Sequence, residues 1–166
     1  MSDYSVEISG TDELRRKLQE LADAAGAGIT PAMQDVAEHI AETSRLLFEE
    51  EEDPWGRPWE PLAEATKRNR RGGPPYQILR DQSHLYNSII GNAEGDTATV
   101  GAGTGPSRDY ARIHLFGGHA GRNHATYIPA RPYLPIRDGG VDIPPEMEDD
   151  LLGIIEQHLE AAWTTS

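Results

Sequence analysis

His114, His119 and His124 recur every five residues, and imidazoles at short, regular spacing raise the question of a metal centre. Zinc held on a helix uses an i, i+4 pair, and zinc held on loops draws on closely spaced ligands or carboxylates. This segment offers neither, so loop or interface histidines are expected and no bound metal. Gly101, Gly103 and Gly105 resemble a phosphate-cradling loop only in their glycines, because no helix opens there and the Lys-Ser/Thr ending is missing. Ser83 and Ser107 are the serines a Ser-His-Asp triad would draw on, yet neither sits in the glycine pattern of a nucleophile elbow. The run Glu49-Glu50-Glu51-Glu52-Asp53 has no fixed geometry with which to hold a hard cation. With no cysteine there is no thiolate nucleophile or ligand either. No active site and no cofactor are therefore expected, and the chain is read as a non-enzyme.

The basic cluster Lys67, Arg68, Arg70, Arg71, with Arg80 beyond it, is the other group of residues that could act on something. It could line a channel through which nucleic acid passes, or face an acidic protein; the plainer reading is a solvated helix face. The net charge of −13 over 166 residues argues against a general nucleic-acid coat, which must neutralise phosphates with a basic surface. That charge is uneven. Residues 1–60 carry 15 acidic and 5 basic side chains, 61–140 carry 6 and 10, and 141–166 carry 7 and none. A basic middle between acidic ends predicts that subunits, or a subunit and its partners, meet through opposite charges.

These residues need elements to position them. Tyr4, Val6 and Ile8 alternate with polar residues as in a half-buried strand. Thr11 then caps a helix with Leu14, Leu18, Leu21 and Ala25 on one face, stopped by Gly26 and Gly28. Thr30-Pro31 restarts a longer helix, with Thr30 as cap, through Met33, Val36, Ala37, Ile40, Ala41, Leu47 and Phe48. Five acidic residues at its C-terminus oppose the helix dipole, so the end is expected to fray. The stretch 54–61, with three prolines and a glycine, cannot be regular, and Trp55 and Trp59 are expected to anchor it.

Residues 62–70 predict a short helix and 79–85 a turn or short helix. Residues 86–91 and 97–101 read as two strands joined by Glu94-Gly95-Asp96. A short helix over 110–115, a polar glycine-rich loop, and a strand over 126–128 follow. Pro144-Pro145 open a last helix with Met147, Leu151, Ile154, Ile155, Leu159 and Ala162 on one face. The fold class is α+β: a small antiparallel β-sheet packed with long N-terminal helices and a C-terminal helix. The whole chain, 1–166, reads as a single domain: a strand and two helices over 1–53, a β-rich core over 54–140 with mobile loops at 71–76 and 117–125, and an acidic helix over 141–166. No run of about 18 apolar residues is present, so no membrane span is expected, and the first ten residues lack a secretory pattern.

A set of short motifs runs through the middle of the chain. An acidic helix ends in an aromatic, Leu47-Phe48-Glu49. A proline-glycine-tryptophan turn follows, Pro54-Trp55-Gly56-Arg57-Pro58-Trp59-Glu60-Pro61-Leu62, then Thr66-Lys67. Ile78-Leu79, Leu85 and Ser88-Ile89 precede a hairpin ending in Val100-Gly101. The most specific pair is Tyr110-Ala111-Arg112-Ile113-His114-Leu115-Phe116-Gly117 with Ile128-Pro129-Ala130-Arg131-Pro132-Tyr133-Leu134. Six motifs in this order resemble the phage virion morphogenesis family, the tail-completion (neck) proteins of Mu-like and related tailed phages and prophages. Leu115 stands where the family often has glutamine, and Ser83-His84 where it often has Thr-Gly.

The resemblance implies a structural virion protein assembled in the bacterial host cytoplasm, acting in tail completion and head-tail joining. It implies docking to other neck and tail proteins (a tail terminator, a head-tail connector) and a homo-oligomeric ring, hexameric to match the tail. Contact with DNA in the channel and a small phage hydrolase are the rival readings. The residues expected to make contacts are Trp55, Trp59, Lys67, Arg68, Arg70, Arg71, Tyr110, His114, Phe116, Gly117, Arg131 and Tyr133. Two prolines stiffen the segment around Arg131, whose fork can bind a carboxylate or backbone carbonyls, with Tyr110, His114 and Phe116 beside it.

Overall fold

The computed structural model describes residues 5–7, 12–25, 28–137 and 140–165. Tyr4 and Ile8 of the expected first strand, the Thr11 cap and the Gly26 stop lie outside these residues. The fold is α+β, as the patterning predicts. The chain falls into two units. One comprises Thr43–Ile89 and Ala102–Leu134, and the other Ser5–Glu42, Ile90–Gly101 and Pro135–Ser166.

The second of these units is built on amphipathic helices. Helix α1 (Asp12–Ala25) buries Leu14 and Leu21 and packs against α6 (Pro145–Thr165), which buries Met147, Leu151, Ile155 and Leu159 at four-residue intervals. The first half of α2 (Thr30–Glu50) adds Met33, Val36, Ala37, Ile40 and Ala41. Lys17 Nζ pairs with Glu156 of α6 at 3.1 Å, the His39 ring lies 3.3 Å from the Asp150 carboxylate, and the His158 ring lies 2.6 Å from that of Asp35. Thr30 does not precede the helix as a cap but begins it, and its hydroxyl donates to the Gly95 carbonyl at 2.9 Å.

Three antiparallel strands follow the order β1 (Ser5–Glu7), β3 (Thr97–Gly101), β2 (Ile90–Glu94). Ala98 and Val100 point inward from β3 by simple alternation. Strand β2 lies so close to α2 that a Cβ on Gly91 would stand 2.3 Å from the Ala37 carbonyl oxygen, so only glycine fits. The Gln34 side chain lies along β2, accepting from the Ala93 N–H at 2.9 Å. A two-residue ribbon, β6 (Ile136–Arg137) with β7 (Gly140–Val141), leads into α6.

In the other unit, the acidic end of α2 does not fray. It terminates in an ordered stop. Glu51 takes φ of 58°, and the Glu52 N–H closes onto the Leu47 carbonyl at 3.2 Å. The buried Asp53 carboxylate accepts from the backbone N–H groups of Trp55 at 2.9 Å and Arg57 at 3.0 Å, and from Arg57 Nε at 2.9 Å. The adverse dipole term is offset where Asp53 is held by its own turn and Glu51 accepts from the distant Ile78 N–H at 2.7 Å. Phe48, just before the stop, meets the rings of Trp59 at 5.4 Å, Tyr86 at 5.8 Å and Tyr133 at 5.4 Å.

Short helices α3 (Glu64–Asn69), α4 (His84–Asn87) and α5 (Ala111–Phe116) complete this unit, with β4 (Gly118–Ala120) paired to β5 (Thr126–Ile128). Two expectations are corrected here. Residues 86–89 are not strand: Tyr86 and Asn87 belong to α4, which is closed by the Ser88 hydroxyl on the Leu85 carbonyl, and strand begins at Ile90. The segment 117–125, expected as loop throughout, contains a strand: Gly118–Ala120 pairs with β5 to make a hairpin.

Candidate functional site

The site grows from the segment 128–134. The Arg131 backbone N–H donates to the His114 carbonyl at 2.7 Å, which ties this segment to α5. Its guanidinium, buried, donates through Nε and Nη2 to the Glu60 carbonyl at 3.0 and 2.8 Å, and through Nη2 to the Pro61 carbonyl at 3.3 Å. The Trp59 indole donates to the Pro132 carbonyl at 3.0 Å, and the Tyr133 hydroxyl donates to the Ala111 carbonyl at 2.8 Å. Gly117, with φ of 71°, allows the close approach of α5 to the segment: a Cβ there would stand 2.8 Å from the Ala130 nitrogen.

Trp59, Arg131 and Tyr133 are thus internal staples: Trp59 and Arg131 satisfy carbonyls in proline-containing segments, and Tyr133 bonds the first carbonyl of α5. They stand among the residues expected to make contacts, and in the structure their buried side chains position backbone. Their titration follows the same burial. Desolvation, and then the Arg131 guanidinium, holds His114 down at about 4, so its imidazole is neutral at physiological pH. Burial raises Tyr110 and Tyr133, with Tyr110 adding to the rise at Tyr133. Burial lowers Arg131, partly offset by the Glu60 carboxylate. The Tyr110 ring stands edge-on to His114 at 5.6 Å.

Beside these staples lies a cleft of about 850 Å³, contained in the first unit. Its walls are apolar where Pro61, Leu62, Leu79, Tyr127, Ile128 and Pro129 line it. Tyr110, His114 and Arg131 form part of its floor, and Arg70, Asp81 and His84 add polar groups. Four separate stretches of chain contribute, so no local signal marked it. Tyr127 escaped the sequence reading; it is 63% exposed, and a large aromatic on a short strand with no core to face was the available clue.

The remaining candidates disperse. Lys67 pairs with Glu64 at 2.7 Å, Arg70 lies 3.6 Å from Asp81, and Arg80 lies over the Tyr86 ring at 4.6 Å and 4.0 Å from Glu49. Arg68 and Arg71 are exposed. The cluster is therefore not one cationic face, because carboxylates of the same unit engage three of its five members. Trp55 is half-buried with the Arg57 guanidinium 5.9 Å from its ring, and Phe116 is exposed. The three histidines part company: His114 lines the cleft, His119 meets the Tyr127 ring edge-on across the hairpin at 5.4 Å, and His124 sits in the turn between the strands. Among the described residues no three carboxylate or imidazole side chains converge as a metal site would require. Ser107 spends its hydroxyl on the Thr104 carbonyl at 2.8 Å.

The sequence profile of the phage virion morphogenesis family matches residues 10–160 of the chain. The chain is also similar to Mu-like prophage FluMu G protein 2 of Haemophilus influenzae, 32% identical over 156 residues that cover 93% of this chain and 95% of that protein. No solved structure matches.

Proposed function

The chain belongs to the phage virion morphogenesis family, and from that premise we propose that it completes the tail and joins it to the head at the neck, acting purely by protein-protein contact. A role in assembling phage particles follows from the family itself. The finer placement rests on one observation: the motif residues Trp59, Arg131 and Tyr133 are consumed in holding backbone, and what they present outward is a cleft and an aromatic hairpin. Such a surface recognises; it does not need to turn over a substrate.

In this reading the protein is a non-enzymatic component of the virion, made in the bacterial host cytoplasm and docked against a tail terminator and a head-tail connector. It forms a homo-oligomeric ring, with six copies to match the tail. Among the described residues no helix is long and apolar enough to cross a membrane. Ring closure requires heterologous contacts, in which two different patches of the same chain meet. The test is electron microscopy of particles made without this protein. Separate tails and filled heads support the joining role, and joined particles in normal yield overturn it.

A further inference from the structure

The two units differ sharply in charge. Thr43–Ile89 and Ala102–Leu134 hold 11 Lys/Arg against 9 Asp/Glu, a net +2. Ser5–Glu42, Ile90–Gly101 and Pro135–Ser166 hold 4 against 18, a net −14. Helix α6 concentrates the negative side: Pro145–Thr165 has six Asp/Glu and no Lys/Arg. Near its end Trp163 is 61% exposed, and with Glu156 and Glu160 it forms an i, i+4, i+7 stripe on one helical face. Glu156 also pairs with Lys17. An indole left in water on an acidic helix is an unusual expense for a solvated face, and it has the chemistry of an anchor.

The cleft has the complementary chemistry. Leu62, Leu79, Tyr127 and Ile128 offer an apolar seat. The stretch 106–131, which supplies eight of the lining residues, contains four arginines against a single acidic residue, Asp109, although Arg131 is buried and bonded inward. Exposed Arg68 and Arg71 flank the lining residues Asn69 and Arg70 in sequence, and Arg70 itself is engaged by Asp81. Glu60 and Asp81 line the cleft too, but Asp81 is matched by Arg70.

The geometry points to a head-to-tail contact in which the Trp163 end of α6 of one copy seats in the cleft of a second copy. This rests on the homo-oligomer reading above and supplies its interface. The contact is heterologous, joining the acidic unit of one chain to the near-neutral unit of the next, as a closed ring requires. Burying the part of Trp163 still in water removes on the order of 100–150 Å² of surface, and the opposite charges set the register.

The chain has no cysteine, so single engineered thiols report proximity cleanly. Thr126→Cys places one thiol in the cleft lining and Thr164→Cys places one beside the anchor, both at exposed positions. Oxidising a mixture of the two full-length variants is expected to give the mixed disulfide dimer in preference to either symmetric dimer. Adding Trp163→Ala to the Thr164→Cys chain should slow that link at least about tenfold. Raising salt from 50 to 500 mM should slow it further. Symmetric links alone, no link, or a link untouched by Trp163→Ala would overturn the contact. A chain carrying both thiols that closes on itself as a monomer would overturn it as well. If the mass in solution shows oligomers while the mixed link fails, the ring survives and this interface falls. A chain that neither associates nor enters particles removes both.

Discussion

The Arg131 guanidinium reaches the Glu60 carbonyl from 71 residues away, donating through Nε at 3.0 Å and Nη2 at 2.8 Å. Two segments rich in proline, and so poor in backbone donors, are joined through one planar fork. Arg131→Lys keeps the charge but replaces the fork with a single ammonium that cannot span both carbonyls. It should cost about 1 kcal/mol, and Arg131→Ala about 2 kcal/mol, since the buried side chain loses its packing and the bonds that join the two segments. Urea unfolding midpoints for the three proteins check this. Equal midpoints for wild type and Arg131→Lys would show that the fork geometry contributes nothing.

Asp53 makes the parallel argument at the end of α2. Its carboxylate serves three donors, two of them backbone N–H groups in a tight turn. Asp53→Ala leaves those two N–H groups orphaned and removes the partner of Arg57, for an expected loss of about 1–3 kcal/mol. By contrast, Arg68→Ala and Arg71→Ala change exposed side chains and should stay within about 0.5 kcal/mol of wild type. Thermal melts of all three variants separate the buried acid from the exposed cations.

His114 predicts a pH dependence. Its folded value of about 4 lies below the ordinary imidazole value of 6.5, so in that window the unfolded chain binds a proton that the folded chain refuses. Stability attributable to this group is therefore intact above pH 6.5 and declines as pH falls toward 4, by an amount on the order of 2 kcal/mol. His114→Gln, which cannot ionise, should flatten that decline while leaving the pH 7 to 8 region unchanged. Denaturation midpoints measured at pH 7 and pH 4.5 decide the point. An equal drop in both proteins would place the sensitivity elsewhere.

The long helices and the 97–101 strand were legible because burial imposes a period on the sequence: Met147, Leu151, Ile155 and Leu159 announce a face without reference to anything distant. Arg131 was legible as a fork held by prolines, and the backbone carbonyls it binds were one of the two partners expected. What the sequence concealed was direction. A buried staple such as Trp59 and an exposed ring such as Tyr127 are both aromatics in short segments, and only the position of Pro132, 73 residues from Trp59, tells them apart. The Asp53 turn was hidden for a related reason. In a run of five acids the one that folds inward carries no mark, and its donors come from the very turn it creates. Tyr86 misled because Tyr86, Ile89 and Ile90 are strand-prone residue types ahead of a turn, whereas packing of Tyr86 against Phe48 and the local Ser88 bond favour a helical turn.

Gly91 and Gly153 give a paired prediction in which the same substitution has opposite signs. At Gly91 a new Cβ would stand 2.3 Å from the Ala37 carbonyl oxygen and 3.1 Å from the Glu38 nitrogen, both backbone atoms of α2 that cannot swing aside. Gly91→Ala must therefore push β2 off the helix, and overpacking of this kind costs about 1–3 kcal/mol. Gly153 lies inside α6 with nothing within 4 Å of its would-be Cβ, so Gly153→Ala meets no obstacle and removes conformational freedom from the unfolded chain. It should stabilise by about 0.5–1 kcal/mol. Parallel urea titrations measure both, and a stabilising Gly91→Ala would mean that β2 does not sit where this packing puts it.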